Sequence, residues 1–580
     1  MSFAQPVESK IGWIRKDTVC ILLAAILLGL SIRLIGLEQI GFAEDEVNKI
    51  LAVRQYQQGD FTVNAEHPML MKLLILGTVG LVDRWNRWMA SVPGGHLVAE
   101  EVAVRFPNIL VGALTAIPLF LVGSFLFSQR VGILAAFLWA VGLQAVFINR
   151  IAKEDTLLVF FLLWGIYFHG RMKTTPDADG RRKRTFHLLS AVCFGLMLAS
   201  KYFPHFWGLT LLFYYLHRKL NPGLYPADRY GRRDLALYVA VMAAVFLLAN
   251  PMLVHTKVLG HIFSYTGQST VTHHGYMMFG HLFPNSILLT PFGGTPWYFY
   301  LLALIVKLPP LVLLVFMGGV GLSLRRWRDP GPYFLLFWLL FWLVPYSIVG
   351  VKFLRYSLTL MPAVYLAAAW ATCEIADWLV NWRCWTLPRP LLRWITHTVL
   401  GGLMVLVSLA ALIASQPYFS LYVNRWGGGQ GRSAYYFPHD ECYDLLLREA
   451  IVATLRQAPT GSVVAGETPA VFRYYLAKLN RPDIRVINLS DARLSQPISA
   501  PVFVFLQPGR IYFENRTFYT RLWNRSPEQM SARIEGRPLV RVFRLNETEF
   551  MELLAMRQRI PPRFQTPLNL GYLISDKEPA

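Results

Sequence analysis

Three short charged strings sit directly beyond hydrophobic runs: Phe42-Ala-Glu-Asp-Glu46, His67-Pro-Met-Leu-Met-Lys72 and Arg150-Ile-Ala-Lys-Glu-Asp155. A carboxylate at a lipid interface is costly unless it has a partner or a task, so acids and bases gathered there point to a reaction. Asp45 and Glu46 offer a carboxylate that could take a proton from an attacking hydroxyl. Lys72, Arg150, Lys201, Lys352 and Arg355 fall in the same set of inter-span segments and could meet negative charge developing on a phosphate at headgroup depth. The economical chemistry for such a set is transfer of a sugar from a lipid phosphate. Each residue alone has a plainer reading. An Asp-Glu pair in a loop caps a helix or lies in solvent, and Arg150 and Lys352 at span ends snorkel to the interface. Lys201, in the tight apolar turn Ala199-Ser-Lys-Tyr-Phe203, is harder to explain that way.

The elements that position these strings are membrane spans. The chain has 580 residues, is 54% hydrophobic and has a positive mean hydropathy, which excludes an ordinary soluble protein. Apolar runs predict about eleven spans. They lie near 18–37, 103–127, 131–149, 156–170, 186–201, 203–217, 235–254, 297–322, 332–349, 357–378 and 395–415. The first has no small-residue cleavage site behind it and reads as an uncleaved anchor. Basic clusters, among them Arg171 to Arg184 and Arg325/Arg326/Arg328, fall on one side, which the positive-inside rule makes the cytoplasm. The N-terminus is then cytoplasmic and the C-terminus extracytoplasmic, as in a multi-pass protein of a bacterial plasma membrane. Five basic residues at outer turns run against that rule. Segment 38–102 is partly apolar and predicts helices lying on the bilayer surface rather than another crossing.

The net charge of +21 follows from this topology and does not call for nucleic acid. The five cysteines have neither metal-ligand nor disulfide-framework spacing. From residue 416 onward apolar runs shorten to strand length, at 462–466, 484–488, 502–506 and 539–543, with helical patterns at 442–457 and 469–479. The expected organisation is a membrane domain over 1–415 and a small extracytoplasmic α/β domain over 416–580.

Taken in order, the strings resemble the protein O-mannosyltransferase and lipid A aminoarabinose transferase superfamily of GT-C membrane glycosyltransferases. The resemblance runs over residues 40–430. It rests on Asp45-Glu46, His67-Pro-Met-Leu-Met-Lys72, Arg105-Phe-Pro107 and Arg150 with Asp155. Gly280-His281, Trp297-Tyr298, Lys307-Leu-Pro-Pro310, Phe353-Leu-Arg-Tyr356, Tyr418 to Asn424 and Gly427-Gly428 complete it. Met69 stands where the usual string has a second proline, and Lys153-Glu154 make the second loop more charged than the common form. The resemblance implies a GT-C-type polytopic helical protein. It would move a sugar, with inversion, from a polyprenyl- or dolichyl-phosphate donor to a hydroxyl of a protein, glycan or lipid at the outer face.

The resemblance also implies roles. Asp45 would be the base or hold the acceptor, and Glu46 would support it or bind a metal. Asp155 would be a second acid, while Lys72, Arg150 and Arg355 would face the lipid phosphate. His67 would orient its loop. A divalent ion at Asp45 and Glu46 is admitted, since other GT-C enzymes use one; the irregularly spaced histidines 255, 261, 273, 274 and 281 read instead as an interfacial aromatic belt. A transporter or lipid flippase is the alternative, but it would place ionisable or discontinuous helix elements near the bilayer midplane, and here nearly all charges lie at span ends, with Lys307 the main exception. A receptor-like protein with an active tail leaves the first-loop acids unexplained.

Overall fold

The computed structural model of the protein describes residues 16–202, 232–267, 272–286, 294–382, 387–490, 501–525, 528–556 and 568–569. Among them five helices are long and apolar enough to cross a membrane, or six if one bent pair is a single span. The expected spans at 156–170, 186–201 and 235–254 are the helices α8 (Asp155–Thr174), α9 (Gly180–Ser200) and Arg232–Ala249, which are helical but less apolar. The expected span at 203–217 lies outside the described residues.

Two expected spans are broken, and the sequence around each break shows how the cost is met. The run 131–149 forms α6 (Gln129–Val141) and α7 (Leu143–Asn149), bent by 55° at Gly142. A break frees carbonyls that cannot be left bare in an apolar interior. Arg33, at the end of α1 (Lys16–Leu34), supplies the donors. Its guanidinium reaches Ala140 O at 3.0 Å and Trp139 O at 3.2 Å, and also holds the Asn149 side chain. The run 297–322 is likewise two helices, Phe299–Lys307 and Pro310–Arg325, because Pro309 and Pro310 cannot continue the first. Here Asn424 caps the break. Its Nδ2 donates to Ile305 O at 2.6 Å and Leu308 O at 2.7 Å, and its backbone N–H to Val306 O at 2.9 Å. Lys307 adds hydrogen bonds to Ser420 O and Tyr422 O and an ion pair with Glu441. Residues 418–442 are thereby built into the membrane helices, and Phe419, Tyr422, Val423 and Phe437 share their core.

Between α1 and α4 (Glu100–Leu114, followed directly by α5, Ala116–Leu126) the segment expected on the bilayer surface forms α2 (Glu44–Gln57) and α3 (Met69–Met89). Neither passes as a crossing helix. α3 is amphipathic: Met71, Ile75 and Val79 are buried, while Leu81, Trp85 and Trp88 are exposed.

The tail carries a five-stranded sheet of order β4-β3-β5-β7-β6, with β3 (Val463–Gly466), β4 (Arg485–Asn488), β5 (Val502–Leu506), β6 (Met530–Ile534) and β7 (Arg537–Leu545). β3 runs parallel to β4 and β5, and β7 antiparallel to β5 and β6. Side chains alternate between its two faces. Val464, Phe503 and Phe505 share a core with Val47 and Ile50 of α2 and Met71 of α3. Val463, Ala465, Val502 and Val504 pack with Met277 and Leu282 of the hairpin formed by β1 (Thr272–Met278) and β2 (His281–Ser286). The expected helix 442–457 begins only at Leu447. Tyr443, Asp444 and Leu446 adopt positive φ of 30°, 60° and 61°, which breaks the helical path.

Candidate active site

α2 opens at Ala43, and its first turn holds Glu44, Asp45 and Glu46 at the positive end of the helix. Successive helical side chains point about 100° apart, so the three acids go to three places. Glu44 turns to the tail and Glu46 turns inward. Asp45 opens to a charged cluster.

Glu46 is 1% exposed and has no oxygen to spare. Arg105 of α4 grips it with Nε to Oε1 at 2.8 Å and Nη2 to Oε2 at 2.7 Å. Oε2 also accepts the Ala43 N–H at 3.1 Å, and Oε1 the Ala152 N–H at 3.0 Å. Arg105 spends its remaining donors on the carbonyls of Leu37, Ile40 and Gly41. The expectation that Glu46 supports a base or binds a metal meets a residue whose oxygens are all used in joining the first loop, α4 and the second loop.

The turn 150–155 is pinned from α4, where Asn108 donates to the carbonyls of Ile151 and Lys153. It delivers three consecutive charges. Lys153 Nζ lies 2.5 Å from Asp45 Oδ2, Glu154 pairs with Lys49 of α2 at 3.0 Å, and Asp155 pairs with Lys201 at 2.6 Å. His67 Nδ1 stands 3.9 Å from Glu154. Tyr443, from the tail, donates its hydroxyl to Asp45 Oδ2 at 2.8 Å. The Asp45 side chain is 30% exposed. Arg355 stacks on the Phe353 ring at 4.1 Å and is half-buried; no described carboxylate forms an ion pair with it.

These neighbours set the proton affinities. Burial alone would raise the Asp45 pKa, but Lys153, Arg355, Lys49 and His67 outweigh it and hold the carboxyl well below its ordinary range. Glu154 is depressed in the same way by Lys49, His67 and Lys153 against its burial. Burial brings Lys153 down to about 8, with Asp45 opposing the shift. Burial brings His67 down to about 4, with Glu154 opposing. At neutral pH His67 is therefore a neutral ring. Asp45, Glu154 and Asp155 face Lys49, Lys72, Lys153, Lys201 and Arg355, with Glu66 within electrostatic reach of Lys72, Asp440 of Arg355 and Glu44 of Lys153.

The other sequence candidates go elsewhere. Lys72 donates to the carbonyls of Asn64 and His67, at 2.5 and 3.0 Å, and so staples its own loop while staying within electrostatic reach of Lys49 and Glu154. Arg150 is turned away, to the carbonyls of Ile35 at 2.7 Å and Pro417 at 2.9 Å and to the Phe419 ring. Lys352 is buried against the carbonyls of Thr295 and Val349. Arg150 and Lys352 thus satisfy backbone at segment ends rather than joining the cluster. Among the described residues no group of three or more His, Cys, Asp or Glu could hold a metal ion. His261 instead pairs with Glu66 at 3.1 Å and His281 bonds to Phe279 O, while the side chains of His273 and His274 fall outside the described residues. Asp45 and Glu46 do not form a joint ligand set either, since Lys153 and Arg105 occupy them.

The fold of the chain is similar to that of ArnT from Cupriavidus metallidurans, solved bound to undecaprenyl phosphate. The TM-score is 0.51 at 14% identity, over 90% of this chain and 97% of that one. It is also similar to the oligosaccharyltransferase of Archaeoglobus fulgidus in its apo form, with a TM-score of 0.51 at 12% identity, over 87% of this chain and 71% of that one. The family model for dolichyl-phosphate-mannose-protein mannosyltransferase matches residues 94–225, which hold Arg105, the 150–155 turn and Lys201. This chain has the fold of these two proteins. No curated protein matches its sequence.

Within that fold, sequence reasoning missed Lys49 and Tyr443 and treated Lys153 and Glu154 only as departures from a pattern. Lys49 had a signal, since it stands four residues after Asp45 on one helix face. Tyr443 had none, lying 398 residues away in what reads as a helix.

Proposed function

We propose that this chain is a glycosyltransferase that moves a sugar from a polyprenyl- or dolichyl-phosphate donor to an acceptor hydroxyl at the outer face of the membrane. The acceptor is a protein Ser or Thr, a glycan or a lipid. The observation that carries the reading is the cluster around Asp45, where a half-buried Arg355 lies within electrostatic reach of Asp45 and Asp155 and forms no ion pair among the described residues. A sugar–phosphate–lipid diester carries one negative charge and the departing lipid phosphate up to two, so a guanidinium without an ion pair gains more from the leaving group than from the bound donor. Stabilisation that grows toward the transition state is what lowers a barrier. The likeness to a structure solved with undecaprenyl phosphate supports the same donor class.

In this reading the acceptor oxygen attacks the anomeric carbon as the bond from that carbon to the phosphate oxygen breaks. The hydroxyl proton passes to Asp45, and a single displacement inverts the anomeric centre. Asp45 in the resting site is a weak base, because Lys153 and Arg355 hold its pKa down. An incoming phosphate competes for those cations and lifts the carboxylate's basicity when the donor is in place. The base is thus switched on by the substrate it serves. The tail, which packs against α2, covers this site and presents the acceptor to it.

Purified protein in detergent, titrated with undecaprenyl phosphate, tests the phosphate assignment. Arg355→Gln removes the guanidinium that stacks on Phe353 without an ion pair and should weaken binding roughly tenfold or more, the worth of a charge-assisted contact. Unchanged affinity would return Arg355 to a packing role.

A further inference from the structure

Asp45 offers two oxygens, and the structure uses them unequally. Both contacts, Lys153 Nζ and the Tyr443 hydroxyl, fall on Oδ2. Oδ1 accepts no hydrogen bond among the described residues. Tyr443 reaches this point only because the tail bends sharply there, with left-handed backbone at Tyr443, Asp444 and Leu446. Such conformations persist where surrounding contacts over-determine them. Here Asp444 is gripped by Arg510, with Nε to Oδ1 at 2.8 Å and Nη2 to Oδ2 at 2.5 Å, and it accepts the backbone N–H of Glu44 at 3.0 Å. Arg510 also reaches Glu44 Oε2 at 3.2 Å. The bend is therefore bolted to the residue next to Asp45 in the chain.

We propose that Tyr443 is a positioning residue for the base: the tail clamps the first turn of α2 and its phenol holds Oδ2 of Asp45, leaving Oδ1 aimed at the acceptor hydroxyl. This rests on the reading of Asp45 as the base. It makes the segment after residue 437 part of the reaction centre and not only an acceptor platform. The phenol keeps its proton throughout, because burial and the adjacent Asp45 charge push its pKa well above the usual value. It can only donate, and a donated bond favours the ionised carboxylate.

The test is Tyr443→Phe, which keeps the ring and removes the donor. Groups facing Asp45 are Lys153 from the second loop, Arg355, His67, Lys49 and Glu44 on its own helix, and Tyr443 itself. Only the last changes in this variant. The first readout needs no substrate: a water-soluble carbodiimide modifies protonated carboxyl groups, and peptide mass spectrometry gives the pH midpoint of labelling at Asp45. Loss of the donated bond should raise that midpoint by about one pH unit. The second readout is turnover of tritiated polyprenyl-phosphate sugars. The maximal rate should fall roughly tenfold with the donor KM little changed, and the acid limb should move up in pH with the labelling midpoint. Asp444→Asn, which slackens the clamp and leaves the phenol, should shift the midpoint in the same direction by less. An unmoved midpoint in a folded Tyr443→Phe protein overturns the clamp. Should Asp45→Asn keep full turnover while Tyr443→Phe still shifts the midpoint, the clamp stands and the base assignment fails.

Discussion

Asp45 and Glu46 are adjacent in sequence and opposite in consequence, and replacing each by its amide separates structure from chemistry. Glu46 accepts four donors in an interior where its own exposure is 1%. Glu46→Gln converts one acceptor oxygen into an NH2 group, so two of those donors face another donor and Arg105 loses its counter-charge. Removing one partner of a buried ion pair costs about 3–5 kcal/mol. That is a large share of the roughly 5–15 kcal/mol by which a folded protein is stable. Asp45→Asn is milder. Its side chain is 30% exposed, and Lys153, already brought down to about 8 by burial, can release its proton when the carboxylate goes. The expected cost is about 1 kcal/mol or less. Heating detergent-solubilised protein and following the size-exclusion peak should show Glu46→Gln melting well below wild type or failing to accumulate, with Asp45→Asn close to wild type. A Glu46→Gln protein that melts like wild type and yet loses turnover would refute the reasoning and return Glu46 to the chemistry.

The pH dependence of phosphate binding has a definite sign. Lys153 carries its charge below about 8 and loses it above, so undecaprenyl phosphate affinity should fall as pH rises through 8. His67, neutral above about 4, should add no step near 6.5; isothermal titration at several pH values reads both. Asn424→Ala strips the cap from the break at Leu308–Pro309 and leaves the Ile305 and Leu308 carbonyls short of a donor. It should lower stability by about 1–3 kcal/mol, seen as an earlier melt with undecaprenyl phosphate affinity retained in the folded fraction.

Period and charge made the architecture legible. Uncharged runs marked the helices, and the shortening of apolar runs after residue 416 marked four of the five strands of the tail's sheet within two residues, missing β6, whose alternating Met530-Ser-Ala-Arg-Ile534 has no apolar run. Hydropathy could not show the breaks at Gly142 and Leu308–Pro309, because an apolar run reads the same whether or not its axis bends. What makes those breaks tolerable, Arg33 and Asn424, comes from distant parts of the chain. At the site, residue type named the acids but could not tell their directions apart. Glu46 and Asp45 differ by one helical step, and that step separates a buried strut from an open carboxylate. Arg150 and Lys352 looked like phosphate ligands because they are cations in turns between apolar runs. They serve instead the backbone carbonyls that such turns leave unpaired. Tyr443 depends on a left-handed bend that its own sequence context, read as helix, conceals.

The central claim is that Asp45 takes a proton as a lipid-phosphate sugar is cleaved, and release of the lipid phosphate measures it without knowing the acceptor's identity in advance. Purified wild-type protein would be incubated in lipid nanodiscs with tritiated polyprenyl-phosphate hexoses and pentoses and a membrane extract as acceptor source. The free polyprenyl phosphate formed would then be counted against Asp45→Asn. The account predicts release by wild type with at least one donor, and a loss of about a hundredfold or more in Asp45→Asn protein that still binds undecaprenyl phosphate. Release at the wild-type rate by Asp45→Asn would contradict it.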